Sequence, residues 1–279
     1  MAAIDMALWD IKGKHFGAPI HQLMGGPLRT EVKAYATGTY RKRDGNPMDY
    51  IADEVARYKD EGFPAVKLKI GFEVDEDLAL IAKVRDVIGP ELGLMLDANH
   101  GYDAVDAIRL ARAAEAFKIG WFEEPVSPED LDGYLAVKSA TSIPMAGGET
   151  EYTRFGFREI FRRRAMDYIQ PDTCAAGGLS ECKKIADMAN AFGVRYVPHV
   201  WGTGIGLSAA LHLLAVLPHN PPGRKPWEPM LEFDRSEHPA RQAVMTTPIE
   251  HERGVVKIPT GPGLGIEIDK QTLAEFTVD

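Results

Sequence analysis

The sequence predicts an α/β fold in which eight parallel strands close into a barrel surrounded by helices. Eight short apolar runs alternate with longer amphipathic stretches. The runs are continuously apolar, as in strands that are buried on both faces of a parallel sheet. Strands alternating with helices also occur in open, doubly wound sheets, but the count of eight favours the barrel.

The predicted strands recur at similar intervals along the chain. They are VKAYATG from Val32, AVKLKIG from Ala65, LGLMLDAN from Leu92, GWFEEP from Gly120, IPMAGGE from Ile143, DYIQPD from Asp167, VRYVPHV from Val194 and PMLEFD from Pro229. Helix-like stretches separate them, and in the first of these Tyr50, Ile51, Val55 and Tyr58 form an apolar stripe at helical spacing. Several of the stretches end in glycine, which readily adopts the left-handed conformation of a helix C-cap.

Both ends of the chain depart from this alternation. Residues 1–16 have the pattern of a helix with no strand before it. Residues 217–229 form a Pro-rich loop before the eighth strand, and the tail from Val255 contains a strand-like segment and a Gly-Pro turn.

Composition and charge exclude several classes of function. A net charge of −9 argues against a nucleic-acid-binding protein, which needs a basic face. No apolar run approaches the roughly 18 residues of a membrane span, and the N-terminal segment lacks the basic region of a signal peptide. Cys174 and Cys182 are too few for a disulfide framework, so we expect a cytoplasmic location.

Polar residues stand at the C-terminal end of strand after strand. The ends of parallel barrel strands meet at one rim, which is where barrel enzymes carry their active sites. We therefore expect these side chains to converge. In strand order they are Lys67 and Lys69, Asp97 and Asn99, Glu123 and Glu124, Glu149, Asp172, His199, and Glu232.

Three carboxylates on consecutive strands, Asp97, Glu123 and Glu149, predict a metal site. Gathered without a cation, they would repel one another. Hard oxygen ligands without a thiolate favour Mg²⁺, or Mn²⁺. The alternative is that each carboxylate caps the following helix or pairs with a lysine.

Lys67 and Lys69 are two residues apart in one strand, so both point to the same face, the barrel interior. Mutual repulsion and a nearby metal would lower the pKa of a lysine towards neutrality, as a general base needs. A pair of structural salt bridges is the alternative.

His199 and Asp172 lie on adjacent predicted strands. A carboxylate that is hydrogen-bonded to one imidazole nitrogen fixes the tautomer and makes the ring a better base. Glu232 would donate a hydrogen bond to a developing oxyanion if it were protonated, and would otherwise form a salt bridge.

Other features are weaker. The glycine-rich stretch from Gly202 to Gly206 lacks the lysine of a phosphate-binding loop, so we expect it to open a helix whose free N–H groups can hold a substrate carboxylate. No base follows Cys174 in sequence, which argues against a nucleophilic role. Glu124 is expected to lie just outside the metal ligands, and the tryptophans Trp121, Trp201 and Trp227 to pack in the core or at the rim.

The motifs KLKIG, MLDANHGY, WFEEP, AGGE, QPD and PHVWGTGIG, in this order, resemble the mandelate racemase subgroup of the enolase superfamily. The resemblance covers essentially the whole chain and implies a (β/α)7β barrel with a separate α+β capping domain. It identifies Lys69 with one catalytic base and His199, paired with Asp172, with the opposite one. By the same resemblance, Asp97, Glu123 and Glu149 correspond to the Mg²⁺ ligands. Glu232 corresponds to the hydrogen-bond donor to the enolate, and Lys67 and Asn99 correspond to substrate-binding positions.

The resemblance also predicts the domain organisation. Family members carry a further N-terminal segment that forms most of the capping domain, and this segment is expected to be missing from the present chain. Residues 1–250 would then form the catalytic barrel, and residues 251–279 would be a tail that belongs to the cap. Apolar surface near the first helix and the tail would be exposed without it.

The predicted activity is Mg²⁺-dependent removal of the α-proton of a carboxylate, followed by β-elimination. Within the subgroup, AIDMALWDIKGKHFG and LEFDRSEHPARQAV are most similar to acid-sugar enzymes, which implies an aldarate or its lactone as substrate. A 2-hydroxy-acid racemase would use the same residues. A catalytically inactive sugar-acid-binding barrel and an aldolase with Lys69 as a Schiff base are the alternatives from other classes. The expected partners are a small carboxylate and further copies of the chain.

Overall fold

The computed structural model describes residues 1–219 and 227–277 and confirms the predicted (β/α)7β barrel. Its eight parallel strands are β1 Glu31–Thr37, β2 Ala65–Lys69, β3 Gly93–Asp97, β4 Ile119–Glu123, β5 Met145–Gly147, β6 Tyr168–Ile169, β7 Arg195–Tyr196 and β8 Met230–Asp234. All eight lie within the predicted apolar runs, apart from an N-terminal extension of β1 and β4 by one residue each. Part of the Pro-rich loop, residues 220–226, lies outside the described residues.

Within the described residues, seven α-helices connect the eight strands, and each precedes the next strand in the sequence. Helices α1 and α2 come before β1, and two short helices follow β8. The helices are α1 Ala2–Phe16, α2 Ile20–Leu23, α3 Pro47–Asp60, α4 Val74–Ile88, α5 Ala104–Ala114, α6 Leu131–Ala140, α7 Thr153–Arg163, α8 Gly178–Phe192, α9 Gly204–Val216, α10 Ala240–Ala243 and α11 Lys270–Glu275.

The sheet follows the order of the chain from β1 to β7, and β8 pairs with the other side of β1. Across the remaining gap, the backbone N–H of Val200, beyond β7, donates to Glu232 on β8 at 2.9 Å. The strand ends therefore surround a single rim, as the sequence predicted.

Local sequence accounts for the helix boundaries. The Asp103 side chain accepts the N–H groups of Val105 and Asp106 at the start of α5, and such a cap satisfies backbone donors that have no partner within the helix. At the C-terminal end of α8, Gly193 adopts the left-handed conformation with φ 70°, as predicted for a glycine C-cap.

Large side chains fill the barrel beneath the rim. Tyr35, Met95, Trp121, Tyr168 and Val197 form one buried cluster inside the strands. A second, larger core lies between the strands and the surrounding helices. Side chains therefore fill the lower part of the barrel interior, and polar groups occupy only the layer at the rim.

The first helix packs on α8, where Trp9 Nε1 donates to Ser180 Oγ at 2.8 Å. Its opposite face carries Ile4, Leu8 and Ile11, which are 59%, 60% and 62% exposed. Exposed apolar surface near this helix was a prediction from the sequence, and it is confirmed.

The tail adds an antiparallel hairpin to the barrel sheet. Strands β9 His251–Glu252 and β10 Val255–Lys257 pair with each other, and β10 also pairs with the start of β1. Val256 and Leu264 are buried in the larger core. The assignment of residues 251–279 to a capping domain stays a prediction.

Among the described helices, none is both long and apolar enough to cross a bilayer.

Candidate active site

The rim gathers the polar residues that the sequence singled out. Lys69, Asp97 and Glu123 are the last residues of β2, β3 and β4, and they lie side by side in register. Glu149 stands two residues beyond β5, whereas Asp172 and His199 stand three residues beyond β6 and β7. The shorter strands therefore present their functional groups from loops.

Asp97, Glu123 and Glu149 form a carboxylate triad. One oxygen atom from each lies within 4.8 Å of the other two. Glu149 Oε2 is buried and accepts no hydrogen bond within the described part of the chain. A set of hard oxygen donors with an unused buried acceptor is suited to Mg²⁺ or Mn²⁺, so these residues can hold such a cation.

Lys67 lies below the triad and is fully buried. Its Nζ is 2.6 Å from Glu123, 2.7 Å from Glu232 and 3.3 Å from Asp97. Burial acts against the charged form, but the negative charges of Glu123 and Glu232 outweigh it and hold the pKa of Lys67 well above its ordinary value. The side chain is a permanent cation among carboxylates.

Lys69 points into the rim one layer above Lys67. Its Nζ lies 2.6 Å from Asp97 Oδ2 and 2.8 Å from Asn99 Oδ1. Burial and the charge of Lys67 lower the pKa of Lys69, but Asp97 and Glu123 raise it further, so that the net shift is upward. Repulsion by Lys67 alone therefore does not lower the pKa of Lys69, and the lowering expected beside a bound metal stays a prediction. Both lysines face the barrel interior as predicted, and each is ion-paired, as the alternative proposed.

Glu123 is held by residues that sequence reasoning missed. Its Oε2 accepts hydrogen bonds from Trp121 Nε1 at 3.0 Å and Gln170 Nε2 at 2.6 Å, while Oε1 faces Lys67. Burial and the charge of Asp97 act to raise the pKa of Glu123, whereas the ammonium of Lys67 acts to lower it. Trp121 was predicted only to pack, and Gln170 stands in the QPD motif, so the signal for it was present in the sequence.

Glu232 is an acceptor in this structure. It takes the Lys67 ammonium on one oxygen and the Val200 N–H on the other. Burial raises its pKa, but Lys67 and His199 outweigh burial, and the pKa of Glu232 lies below its ordinary value. The arrangement matches the salt-bridge interpretation, and the role of a protonated donor stays a prediction.

His199 and Asp172 form the expected pair. Asp172 Oδ2 lies 2.7 Å from His199 Nδ1, and its Oδ1 accepts the N–H of Cys174 at 2.6 Å. The other imidazole nitrogen, Nε2, faces the triad at 3.5 Å from Glu149 Oε2. Burial lowers the pKa of His199, but the hydrogen bond to Asp172 and the charges of Glu232 and Glu149 raise it to about 9.

Unusual backbone conformations lie directly beside these groups. Asn99 and Glu124 have φ values of 42° and 45°, which few non-glycine residues adopt. Before Glu149, Gly148 has φ 109°, and a Cβ atom there would lie 2.7 Å from the ring of Phe157. Only glycine allows this turn, which brings Glu149 back over the barrel.

The weaker sequence features are accounted for as well. The glycine-rich stretch opens α9 after the N-cap Thr203, as predicted. Glu124 is buried, 3.2 Å from His100 Nε2. Burial and the charge of Asp172 raise the pKa of the Cys174 thiol to about 12, in agreement with the argument against a nucleophilic role.

Fold and site together are those of an enolase-type barrel, with a carboxylate triad between a lysine that ends β2 and a histidine that follows β7. Residues 50–272 match the family of enolase C-terminal-domain-like proteins, and residues 1–25 match the N-terminal domain of mandelate racemase and muconate lactonizing enzyme. The chain belongs to the mandelate racemase and muconate lactonizing enzyme family of the enolase superfamily.

Individual relatives are similar over nearly the whole chain. The D-galactarolactone cycloisomerase of Agrobacterium fabrum is 51% identical over 276 residues, which cover 99% of this chain and 73% of that enzyme. The arabinonate dehydratase of Saccharolobus solfataricus is 36% identical, with 99% and 71% covered. The crystal structure of the 3,6-anhydro-D-galactonate cycloisomerase from Zobellia galactanivorans superposes with a TM-score of 0.92 at 45% identity, covering 100% of this chain and 75% of that one. All three relatives are enzymes.

Proposed function

We propose that the chain removes the α-proton of an acid sugar or its lactone and then expels the oxygen on the β-carbon, as a dehydratase or lactone cycloisomerase. The observation that carries this proposal is the triad of Asp97, Glu123 and Glu149, flanked by Lys69 on one side and His199 on the other. The relatives support the substrate class, since two are named as cycloisomerases and one as a dehydratase of sugar acids.

The triad would hold Mg²⁺, or Mn²⁺. A bound divalent cation supplies positive charge beside the substrate carboxylate, where negative charge develops as the α-proton leaves. Lys67 adds a fixed positive charge directly below the triad, and its burial prevents water from screening that charge. Trp121 and Gln170 fix one oxygen of Glu123 from below.

Lys69 and His199 would transfer the protons. Two strands, β8 and β1, separate β7 from β2 on one side of the ring and four separate them on the other, so Lys69 and His199 approach the triad from different directions and would reach opposite faces of one α-carbon. Whichever of the two is deprotonated takes the α-proton, and the electrons of the C–H bond move into the carboxylate group. They then return to form a C=C bond as the β-oxygen leaves, and the second group supplies the proton that this oxygen takes up.

The leaving oxygen decides the overall reaction. Loss of a hydroxyl group gives water and an enol, whereas loss of a ring oxygen opens a lactone. In both cases the enol rearranges to a 2-keto-3-deoxy acid. A 2-hydroxy-acid racemase would use the same two proton transfers without the loss of oxygen, so the product separates the two activities.

The experiment is a screen of aldonates, aldarates and their lactones with Mg²⁺ in D₂O, followed by NMR. We expect a 2-keto-3-deoxy acid from at least one substrate, and none from a Glu149→Gln variant. Exchange of the α-hydrogen without loss of oxygen would replace the proposal with a racemase. Absence of exchange with every substrate would indicate a sugar-acid-binding barrel. Trapping of the substrate on Lys69 by borohydride would indicate an aldolase instead.

A further inference from the structure

We propose that Asp77, in the first turn of α4, is a positioning residue for proton transfer by Lys69. Its side chain is fully buried, so it would act through the loop that follows Lys69 and not by contact with the substrate. This inference rests on the proposed function, in which Lys69 serves one face of the α-carbon.

The Asp77 carboxylate holds the backbone of the loop between β2 and α4. Its Oδ2 accepts the N–H groups of Gly71, Phe72 and Glu73 at 3.0, 2.8 and 3.2 Å. Gly71 stands two residues after Lys69. Hydrogen bonds to a charged acceptor are stronger than those between neutral groups, so three of them in succession fix the path of the chain directly beyond Lys69.

Helix α4 does not need Asp77 in order to begin. Its N-cap is Glu73, whose side chain accepts the N–H groups of Asp75 and Glu76. The bond from Asp77 to the Glu73 N–H adds to this cap, but the bonds to the two residues before Glu73 lie outside the helix. Capping therefore accounts for only part of the arrangement.

Asp77 also links this loop to the loop after β3. The Tyr102 hydroxyl donates to Asp77 Oδ2 at 2.5 Å and accepts the N–H of Gly71 at 3.2 Å. At Gly71 φ is 99°, and a Cβ atom there would lie 2.3 Å from the carbonyl oxygen of Ala98. The two loops therefore touch through their backbones, and only glycine allows so close an approach.

The loop after β1 reaches Asp77 through Arg41. The guanidinium group of Arg41 lies 3.0 Å from Asp77 Oδ1, and it stacks on Phe72 at 3.9 Å from the ring centroid. Arg41 thus balances the buried charge of Asp77. Tyr40, the residue before Arg41, places its ring centroid 5.5 Å from Lys69 Nζ.

The linked loops supply the surroundings of the Lys69 ammonium. Its Nζ lies 2.8 Å from Asn99 Oδ1, in the loop that Asp77 holds through Tyr102, and 2.6 Å from Asp97 Oδ2. A group that takes a proton must meet it at hydrogen-bond distance, and a displacement of about 1 Å can cost roughly 100-fold in rate. Release of these loops should therefore slow proton transfer by Lys69.

The second proton-transfer group is held by other contacts. Asp172 Oδ2 lies 2.7 Å from His199 Nδ1, and these two residues stand in the loops beyond β6 and β7. A defect at Asp77 should therefore affect one face of the α-carbon and spare the other. A general loss of stability would affect both faces alike.

The test is exchange of the α-hydrogen in D₂O, followed by NMR for both configurations of a substrate, with the full chain and Mg²⁺. The face that Lys69 serves is the one at which Lys69→Met stops exchange. We expect Asp77→Asn and Tyr102→Phe to slow exchange at that face by about 10- to 100-fold and to leave the other face within about twofold. Both substitutions keep the approximate size of the side chain.

Asp130→Asn is the matched control. Asp130 caps α6, where it accepts the N–H of Gly133 at 2.8 Å, so this variant also loses a carboxylate that holds the start of a helix. It should leave the ratio of the two exchange rates unchanged. If Asp77→Asn fails to fold, Tyr102→Phe decides alone. Equal slowing at both faces, or no slowing at either, would overturn the positioning role.

Chemical labelling separates this inference from the proposed function. If exchange at one or both faces is absent from the unmodified chain, the proposed pair of proton transfers fails, and labelling of Lys69 by acetic anhydride decides the positioning role instead. The Lys69 side chain is 12% exposed. Release of its loop should speed the labelling by about tenfold, the effect of one lost charge-assisted hydrogen bond on the opening of a loop. An unchanged labelling rate in Asp77→Asn and Tyr102→Phe would show that Asp77 does not hold Lys69 in place.

Discussion

Lys67 Nζ lies 2.6 Å from Glu123 Oε1, and neither side chain is reached by solvent. The same ammonium is within 3.3 Å of Asp97 and 2.7 Å of Glu232. Lys67 is thus an internal counter-ion for three buried carboxylates. Removing one partner from a buried ion pair is costly, because the opposite charge is left in a medium that solvates it poorly.

Lys67→Met should therefore destabilise the fold. We expect the free energy of unfolding without divalent metal to fall by about 3–5 kcal/mol, the usual cost of an uncompensated buried charge. Urea unfolding of the variant and of the unmodified chain measures this difference in the free energy of unfolding. Lys69→Met is the control, since Lys69 is partly exposed and, among the carboxylates that the structure describes, forms an ion pair only with Asp97. An equal loss in the two variants would contradict the counter-ion role.

Gln170 should strengthen metal binding, because it holds the carboxylate of Glu123 in position. Its side chain donates to Glu123 Oε2 at 2.6 Å and holds that carboxylate in place. Loss of a group that orients a ligand typically weakens metal binding by about 10- to 100-fold. We expect Gln170→Leu to bind Mg²⁺ more weakly by this factor in calorimetry, with the fold retained by circular dichroism. Gln271→Leu on the exposed helix α11 should bind Mg²⁺ as the unmodified chain does.

Glu149→Gln should abolish Mg²⁺ binding and turnover together. The substitution keeps the shape of the side chain and removes the charge of one of the three oxygen donors. Glu151→Gln, two residues further along the same loop, serves as the matched control and should keep both properties. A Glu149→Gln chain with unchanged calorimetric affinity would show that the triad is not the metal site.

The composition of the rim was predictable because it depends on topology alone. Once eight strands are parallel, the last residues of each must meet, so Asp97, Glu123 and Glu149 could be grouped without coordinates. Strand alternation also placed Lys67 and Lys69 on one face. These inferences require only the spacing of strands and side chains along the sequence, and no interatomic distances.

The electrostatics of the rim were not predictable in this way. Burial and the charge of Lys67 lower the pKa of Lys69, but the attraction of Asp97, at 2.6 Å, and of Glu123 outweighs both. The contact of Gln170 with Glu123 joins β4 to the end of β6 across β5, which strand order alone does not reveal. The antiparallel pairing of the tail with β1 was missed for the same reason, because the sequence of a short strand does not indicate which strand it pairs with.

Lys69 and His199 should act on opposite faces of the substrate. Each single variant should then lose proton exchange for one configuration at the α-carbon and keep it for the other. His199→Asn should still exchange the hydrogen that Lys69 reaches, and Lys69→Met should show the reverse, by NMR in D₂O. Complete loss of exchange for both configurations in both variants would count against two independent proton-transfer groups.

His212 on α9 should make the stability of the fold depend on pH. The side chain is fully buried, and its tautomer is fixed: Nδ1 accepts the N–H of His21 at 3.3 Å, and Nε2 donates to the carbonyl of Leu264 at 3.0 Å. A second proton on Nδ1 would meet another donor. Burial lowers the pKa of His212 to about 4, against the hydrogen bond to Leu264 and with a smaller contribution from His21, which stacks on it at 5.1 Å.

Because the folded pKa lies below the value of about 6.5 in an unfolded chain, the unfolded state binds a proton first as the pH falls. The free energy of unfolding should then decrease between about pH 6.5 and pH 4, by up to roughly 3 kcal/mol, and be independent of His212 at higher pH. His212→Gln should flatten this part of the stability profile in urea unfolding at several pH values. His15→Gln, an exposed histidine on α1, should leave the profile unchanged. A His212→Gln chain that loses stability on acidification as steeply as the unmodified chain would show that His212 is not the source of the effect.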